Sequence, residues 1–142
     1  APPRKGGGVA HGPHPRKYTK AMPKKMRRLA VRSALSAKFA ADEIRFVDAL
    51  NFEQPRTKDM LAVLSGLKLD GKTLIVVDRK DENLQRSANN LPRVKTLLAN
   101  YLNVRDLLSY DNVLMVKAAV DVVEGYLGAG QASAAATAGE EA

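Results

Sequence analysis

The chain holds 142 residues with a formal charge of +8, and it contains no cysteine and no tryptophan. That length suits one domain with a real core rather than two. The missing cysteine excludes disulfides, thiol catalysis and Cys-ligated zinc or iron–sulfur sites, no apolar run reaches membrane-spanning length, and the opening APPRKGGG lacks the apolar region of a signal peptide.

The charge is unevenly spread. Residues 1–41 carry eleven Lys/Arg and no acid, or +11, whereas the remainder carries twelve bases and fifteen acids, or −3. A basic segment beside a neutral-to-acidic body points to a polyanionic partner, most commonly a nucleic acid. Binding to an anionic membrane would need a large apolar face or a lipid anchor, and neither is evident.

Residues 1–22 form the first zone. Gly6, Gly7 and Gly8 run together, and Pro13 and Pro15 follow. So much glycine and proline, with so little apolar content, cannot offset the entropy of ordering alone. This zone is expected to be an extended basic arm, mobile unless a partner holds it. The chain also starts without Met, in the middle of this run, which is the expectation for a fragment or a processed product.

Residues 23–128 read as the globular domain. Pro23 is placed for a helix first turn, and the helix is expected to run to about Ala40. Its wheel puts Met26, Leu29, Ala30, Ser33, Ala34 and Ala37 on one small-apolar face and Lys24, Lys25, Arg28 and Arg32 on another. Val31 and Leu35 sit beside the bases and break that division. Four β-branched, apolar runs follow, at Ile44–Leu50, Thr73–Asp78, Val94–Ala99 and Asn112–Lys117. TLIVVD reads as a strand buried on both faces. Helical segments lie at Thr57–Leu67, Glu82–Asn89, Val104–Tyr110 and Ala118–Leu127. Alternation of this kind predicts an α/β fold: three layers, a mainly parallel sheet of about four strands, and flanking helices. Residues 129–142 read as a disordered small-residue tail.

Gly66–Thr73, GLKLDGKT, satisfies the phosphate-loop pattern G-x-x-x-x-G-K-[ST] formally. The mechanism requires a strand entering the loop and a helix leaving it. Here a helix enters and a strand leaves, so Gly66 reads as a helix terminator and Asp70–Gly71 as a tight turn. His11 and His14 have no cysteine or acid nearby to complete a metal site. Asp48 and Asp78 end strands but have no catalytic companions, and read as turn or cap residues. No cofactor, metal or small-molecule substrate is expected. In the arm, by contrast, Tyr18 lies between Lys17 and Lys20, a stacking surface among phosphate-binding groups. An extended arm continuing into a basic helix suits the irregular crevices of RNA better than duplex DNA.

Several stretches carry a further signal: GGGVAHGPHPRKY, PKKMRRLAVRSALSAK, PRTKDM, KTLIVVD with DEN, ANNLP, LNVRDLLSYDNVLMVKAAV and YLG. In that order and spacing they resemble the bacterial large-subunit ribosomal protein L four family, from Gly6 to about Gly128, with no counterpart for the family's N-terminal part. The resemblance implies a non-enzymatic, cytoplasmic constituent of the large ribosomal subunit. Its basic loop would thread into large-subunit rRNA toward the exit tunnel, with residues 1–22 as the returning limb. It also implies neighbouring large-subunit proteins as partners and, in some relatives, repression of their own operon through its messenger leader. Arg105 stands where relatives often have an aromatic, and Asn89 where Arg is usual.

On this reading Arg4, Lys5, Arg16, Lys17, Lys20, Lys24, Lys25, Arg27, Arg28 and Arg32 meet phosphates. His11, His14 and Tyr18 meet bases or sugars, and Gly6, Gly7 and Gly8 allow close backbone approach. The rival is a nucleotide-binding α/β enzyme that uses Gly66–Thr73.

Overall fold

The computed structural model describes residues 4–9 and 11–128; the small-residue tail expected at residues 129–142 lies outside them. The elements are α1 (Lys24–Ala40), β1 (Ile44–Val47), α2 (Thr57–Gly66), β2 (Thr73–Val77), α3 (Glu82–Asn89), β3 (Val94–Leu98), α4 (Val104–Ser109), β4 (Asn112–Val116) and α5 (Lys117–Leu127). A short 3₁₀ turn, Ala99–Tyr101, joins β3 to α4.

All four strands are parallel, in the order β1-β4-β2-β3. The chain steps from β1 to β2 to β3 in one direction and returns from β3 to β4 in the other. Right-handed crossovers then set α2 and α3 on one face and α4 on the opposite one. Accordingly α2 packs on α3, while α1 packs on α4 and α5. This is the three-layer α/β architecture expected from the alternation. Because both faces are covered, β2 needs no polar alternation, and all five of its residues are buried. Met60, Leu84, Leu107 and Leu114 fill the core around it. The outer edge of β1 is protected differently. The strand is short, and Arg45 donates to both carboxylate oxygens of Asp42 at 2.7 and 3.1 Å, placing charge on the edge.

The apolar face expected on α1 is corrected. Of Met26, Leu29, Ala30, Ser33, Ala34 and Ala37, only Ala34 is buried. Val31, Leu35 and Lys38, half-buried, complete the packed face with Ala34. A helical wheel by itself cannot say which of two stripes meets the sheet. The decision falls to Val31 and Leu35, whose branched bulk fits the groove presented by α4 and α5. A smaller correction concerns Gly66. It is the last helical residue, with Leu67 as the cap, and the left-handed backbone falls on Lys68 at φ 53°. Pro23 is the N-cap rather than a residue of the first turn.

Candidate nucleic-acid interface

Among the described residues no helix or strand occurs between Arg4 and Pro23, and all of those from Arg4 to Met22 are exposed except Gly12. A turn opens the segment: the Gly7 amide donates to the Arg4 carbonyl at 2.8 Å, with Gly6 at φ 80°. A side chain at Gly6 would be strained there. His11 is also left-handed, at φ 51°. His11 and His14 are exposed, and no group of three metal-ligating side chains exists among the described residues. The Arg16 guanidinium lies 4.5 Å from the centroid of the Tyr18 ring, a cation–π contact. Tyr18 remains 76% exposed. Arg4, Lys5, Lys17 and Lys20 are all exposed.

The start of α1 runs against helix electrostatics. A helix N-terminus carries partial positive charge and four unpaired amides, and favours acids and a capping side chain. Here Pro23 supplies no cap, the first turn holds no acid, and Lys24, Lys25, Arg27 and Arg28 crowd the same end. An approaching phosphate relieves both faults at once, pairing with the cations and with the free amides. Local conflicts of this kind are expected at functional or strained sites.

The other end of α1 is fastened. Lys38 donates to the Glu43 carboxylate and to the carbonyls of Tyr110 and Asp111, the latter two at 2.8 and 3.1 Å. With Val31, Ala34 and Leu35 on the body, the bases divide by angle. Lys25, Arg28 and Arg32 share an arc of roughly 60° at 3.6 residues per turn. Lys24, Arg27 and Arg28 border a groove whose opposite side is formed by the 3₁₀ turn and α5.

The phosphate-loop pattern is occupied by other chemistry. As expected, α2 enters the loop and β2 leaves it. Gly71 is left-handed at φ 102°, and a Cβ there would lie 2.7 Å from an Asp111 carboxylate oxygen. The Lys72 amide donates to that carboxylate at 2.9 Å, and the Asn112 side chain donates to the Asp70 carbonyl at 2.8 Å. The loop amide that would meet a phosphate is thus already paired with an anion. Asp48 and Asp78 lie in bends after their strands, and Asp81, not Asp78, caps α3.

Shifted ionisations fall away from the basic surface. Arg45 holds the Asp42 carboxyl below the usual carboxylate range by hydrogen bond and charge. The Lys95 ammonium, 2.7 Å away, does the same for the buried Asp106, helped by the Asn103 amide and opposed by burial. Burial pushes the Tyr126 hydroxyl up. None of these groups has the geometry of a general acid or base beside a nucleophile.

A sequence profile described as "Ribosomal protein L4/L1 family" matches residues 1–126. The chain belongs to that family. It is 48% identical over 120 residues to the "Large ribosomal subunit protein uL4" of Pelotomaculum thermopropionicum, covering 84% of this chain and 58% of the relative. The uL4 of Lactobacillus delbrueckii subsp. bulgaricus is 46% identical over 127 residues, covering 89% and 61%. That of Staphylococcus carnosus is 48% identical over 128 residues, covering 90% and 62%. The chain spans about three-fifths of the length of these relatives.

Within the family's matched span, two of the motifs that carried the resemblance are seen to hold the fold rather than a ligand. In DEN, Asp81 caps α3 by accepting from the amides of Asn83 and Leu84. Asn83 donates to the carbonyls of Phe52 and Glu53. In PRTKDM, the Arg56 amide donates to Ser87 Oγ at 3.0 Å, and Met60 is fully buried. The loop before α2 is thereby stapled to α3. Asn89 ends that helix on the surface, and Arg105 is exposed on α4. Sequence reasoning missed Tyr101, which is 69% exposed on the groove beside α1. Its signal was modest: an aromatic between Asn100 and Asn103 in a segment leaving a strand.

Proposed function

We infer that the chain is a structural, non-catalytic constituent of the large ribosomal subunit that binds large-subunit rRNA. The observation that carries this reading is the acid-free basic surface running from Arg4 to Arg32 into an uncapped, cation-crowded helix start. The naming of the relatives as large-subunit proteins supports it. In this proposal residues 1–22 are the arm that threads into rRNA toward the exit tunnel, and residues 23–128 are the domain that docks it. The bases from Arg4 to Arg32 neutralise phosphates. His11, His14 and Tyr18 take sugars or bases, and Gly6–Gly8 let backbone approach the RNA closely. The location is then the cytoplasmic ribosome, beside other large-subunit proteins. Repression of its own operon, by binding the messenger leader, would use the same surface.

Counterion release supplies the test. Replacing Lys25, Arg28 and Arg32 with Gln keeps helix propensity nearly unchanged and leaves Val31 and Leu35 in place. The log–log salt slope of rRNA binding is expected to fall by about 2 to 3 units, at roughly 0.7 to 0.9 per phosphate contact. A slope and affinity both unchanged would take Lys25, Arg28 and Arg32 off the RNA surface. An ATPase activity abolished by Lys72→Ala would instead favour the enzyme reading of Gly66–Thr73.

A further inference from the structure

The groove between α1 and the 3₁₀ turn has a chemistry of its own. Its volume is about 810 Å³, within the range of roughly 300–1,000 Å³ typical of small-molecule sites. Lys24, Arg27 and Arg28 line it from α1, and Asn100 and Tyr101 line it from the 3₁₀ turn. Tyr126 lines it from α5 and is held still, its hydroxyl donating to the Ala99 carbonyl at 2.9 Å. None of the described residues lining it is acidic.

An exposed aromatic alone is an ordinary surface feature. An aromatic that shares an acid-free groove with three cations is a different arrangement. It offers a π-face for a base and positive charge for the phosphates on either side of it, the pairing by which proteins hold single-stranded nucleic acid. Met22, at the end of the arm, also lines the groove, so the groove continues the surface assigned above to rRNA. Resting on that reading, we propose that the groove receives one unpaired RNA nucleotide. Its base stacks on Tyr101, Asn100 meets the base edge, and Lys24, Arg27 and Arg28 hold the flanking phosphates.

Because the chain has no tryptophan, Tyr101→Trp installs a single reporter in the groove. An adenine RNA octamer is expected to quench its fluorescence on binding at low salt, and an abasic ribose-phosphate octamer of equal charge is expected not to. Tyr101→Leu is expected to weaken octamer binding about tenfold, near the lower end of what one lost base–aromatic stack costs. Tyr101→Phe should retain affinity, and neither change should alter the salt slope. Equal quenching by the abasic octamer, or full affinity in Tyr101→Leu, would overturn the proposal. So would a concentration-dependent blue shift of Tyr101→Trp without RNA, which would mean that protein fills the groove. If deproteinised large-subunit rRNA still binds in those cases, the wider function stands and only the nucleotide site falls. If no RNA binds the wild-type chain, both fall.

Discussion

β2 and α1 show two ways a segment can be satisfied. β2 has all five residues buried and finds its partners within the chain, between β4 and β3. α1, more than three times as long, has only Ala34 buried and an uncapped basic start. The first is stabilised by apolar burial, at about 25 cal/mol per Å² of area removed from water. The second carries charge that the fold leaves unneutralised. Stability and binding should therefore separate by residue, and substitutions can test how cleanly they do.

The largest effect belongs to the core. Leu114→Ala on β4, where the side chain is fully buried, is expected to lower stability by about 2–5 kcal/mol in urea denaturation. The salt slope of RNA binding by the folded fraction should not change. A changed slope would show that the core and the basic surface are coupled.

On the other side, Arg16, Lys17 and Lys20 exchanged together for Gln should leave the thermal melt unchanged, since all three are exposed. Their removal should reduce the rRNA salt slope by about 2 to 3 units. A lowered melting temperature without RNA would mean that the segment before Pro23 packs on the domain.

Asp106 gives a smaller effect, and its sign follows from its shift. Lys95 holds the folded carboxyl below its usual value, so its stabilisation is present above the unfolded pKa of about 4. It is lost as pH falls through the lower folded value. Asp106→Asn is expected to cost about 1–2 kcal/mol at pH 7, as for a charged hydrogen bond shared with a partly exposed lysine. Wild type and variant should converge in acid; a gap that persists at low pH would place the loss in packing or in the cap of α4.

The smallest change is Lys72→Ala. The loop uses the Lys72 amide rather than its exposed side chain, so stability should shift by well under about 1 kcal/mol in thermal denaturation. A loss above that would mean the ammonium has an unrecognised partner.

Most element boundaries were legible because each strand run is short, β-branched and followed by a helical pattern. β2 ends one residue before its expected end, and α3 matches in full. The packing of α1 was not legible. Alanine and serine satisfy a wheel without saying which side is covered, and Val31 and Leu35 read as exceptions when they were the contact. The basic segment was visible from charge alone, since no acid interrupts it. Tyr101 was hidden for the opposite reason. Its significance comes from Lys24, Arg27 and Arg28, more than seventy positions earlier, and only the packing of α1 on α4 and α5 brings them opposite it.

The Lys38 anchor gives α1 a direction. Three hydrogen bonds grip the helix near its last turn, while its first turns rest on repelling cations. It is a cantilever, clamped at one end and loaded at the other. Amide protons beyond Leu35 should exchange slowly with or without RNA, whereas those from Arg27 to Arg32 should exchange faster in the free chain and slow when phosphates arrive. Assembly would then be recorded as a helix stiffening from its loaded tip while its root stays still.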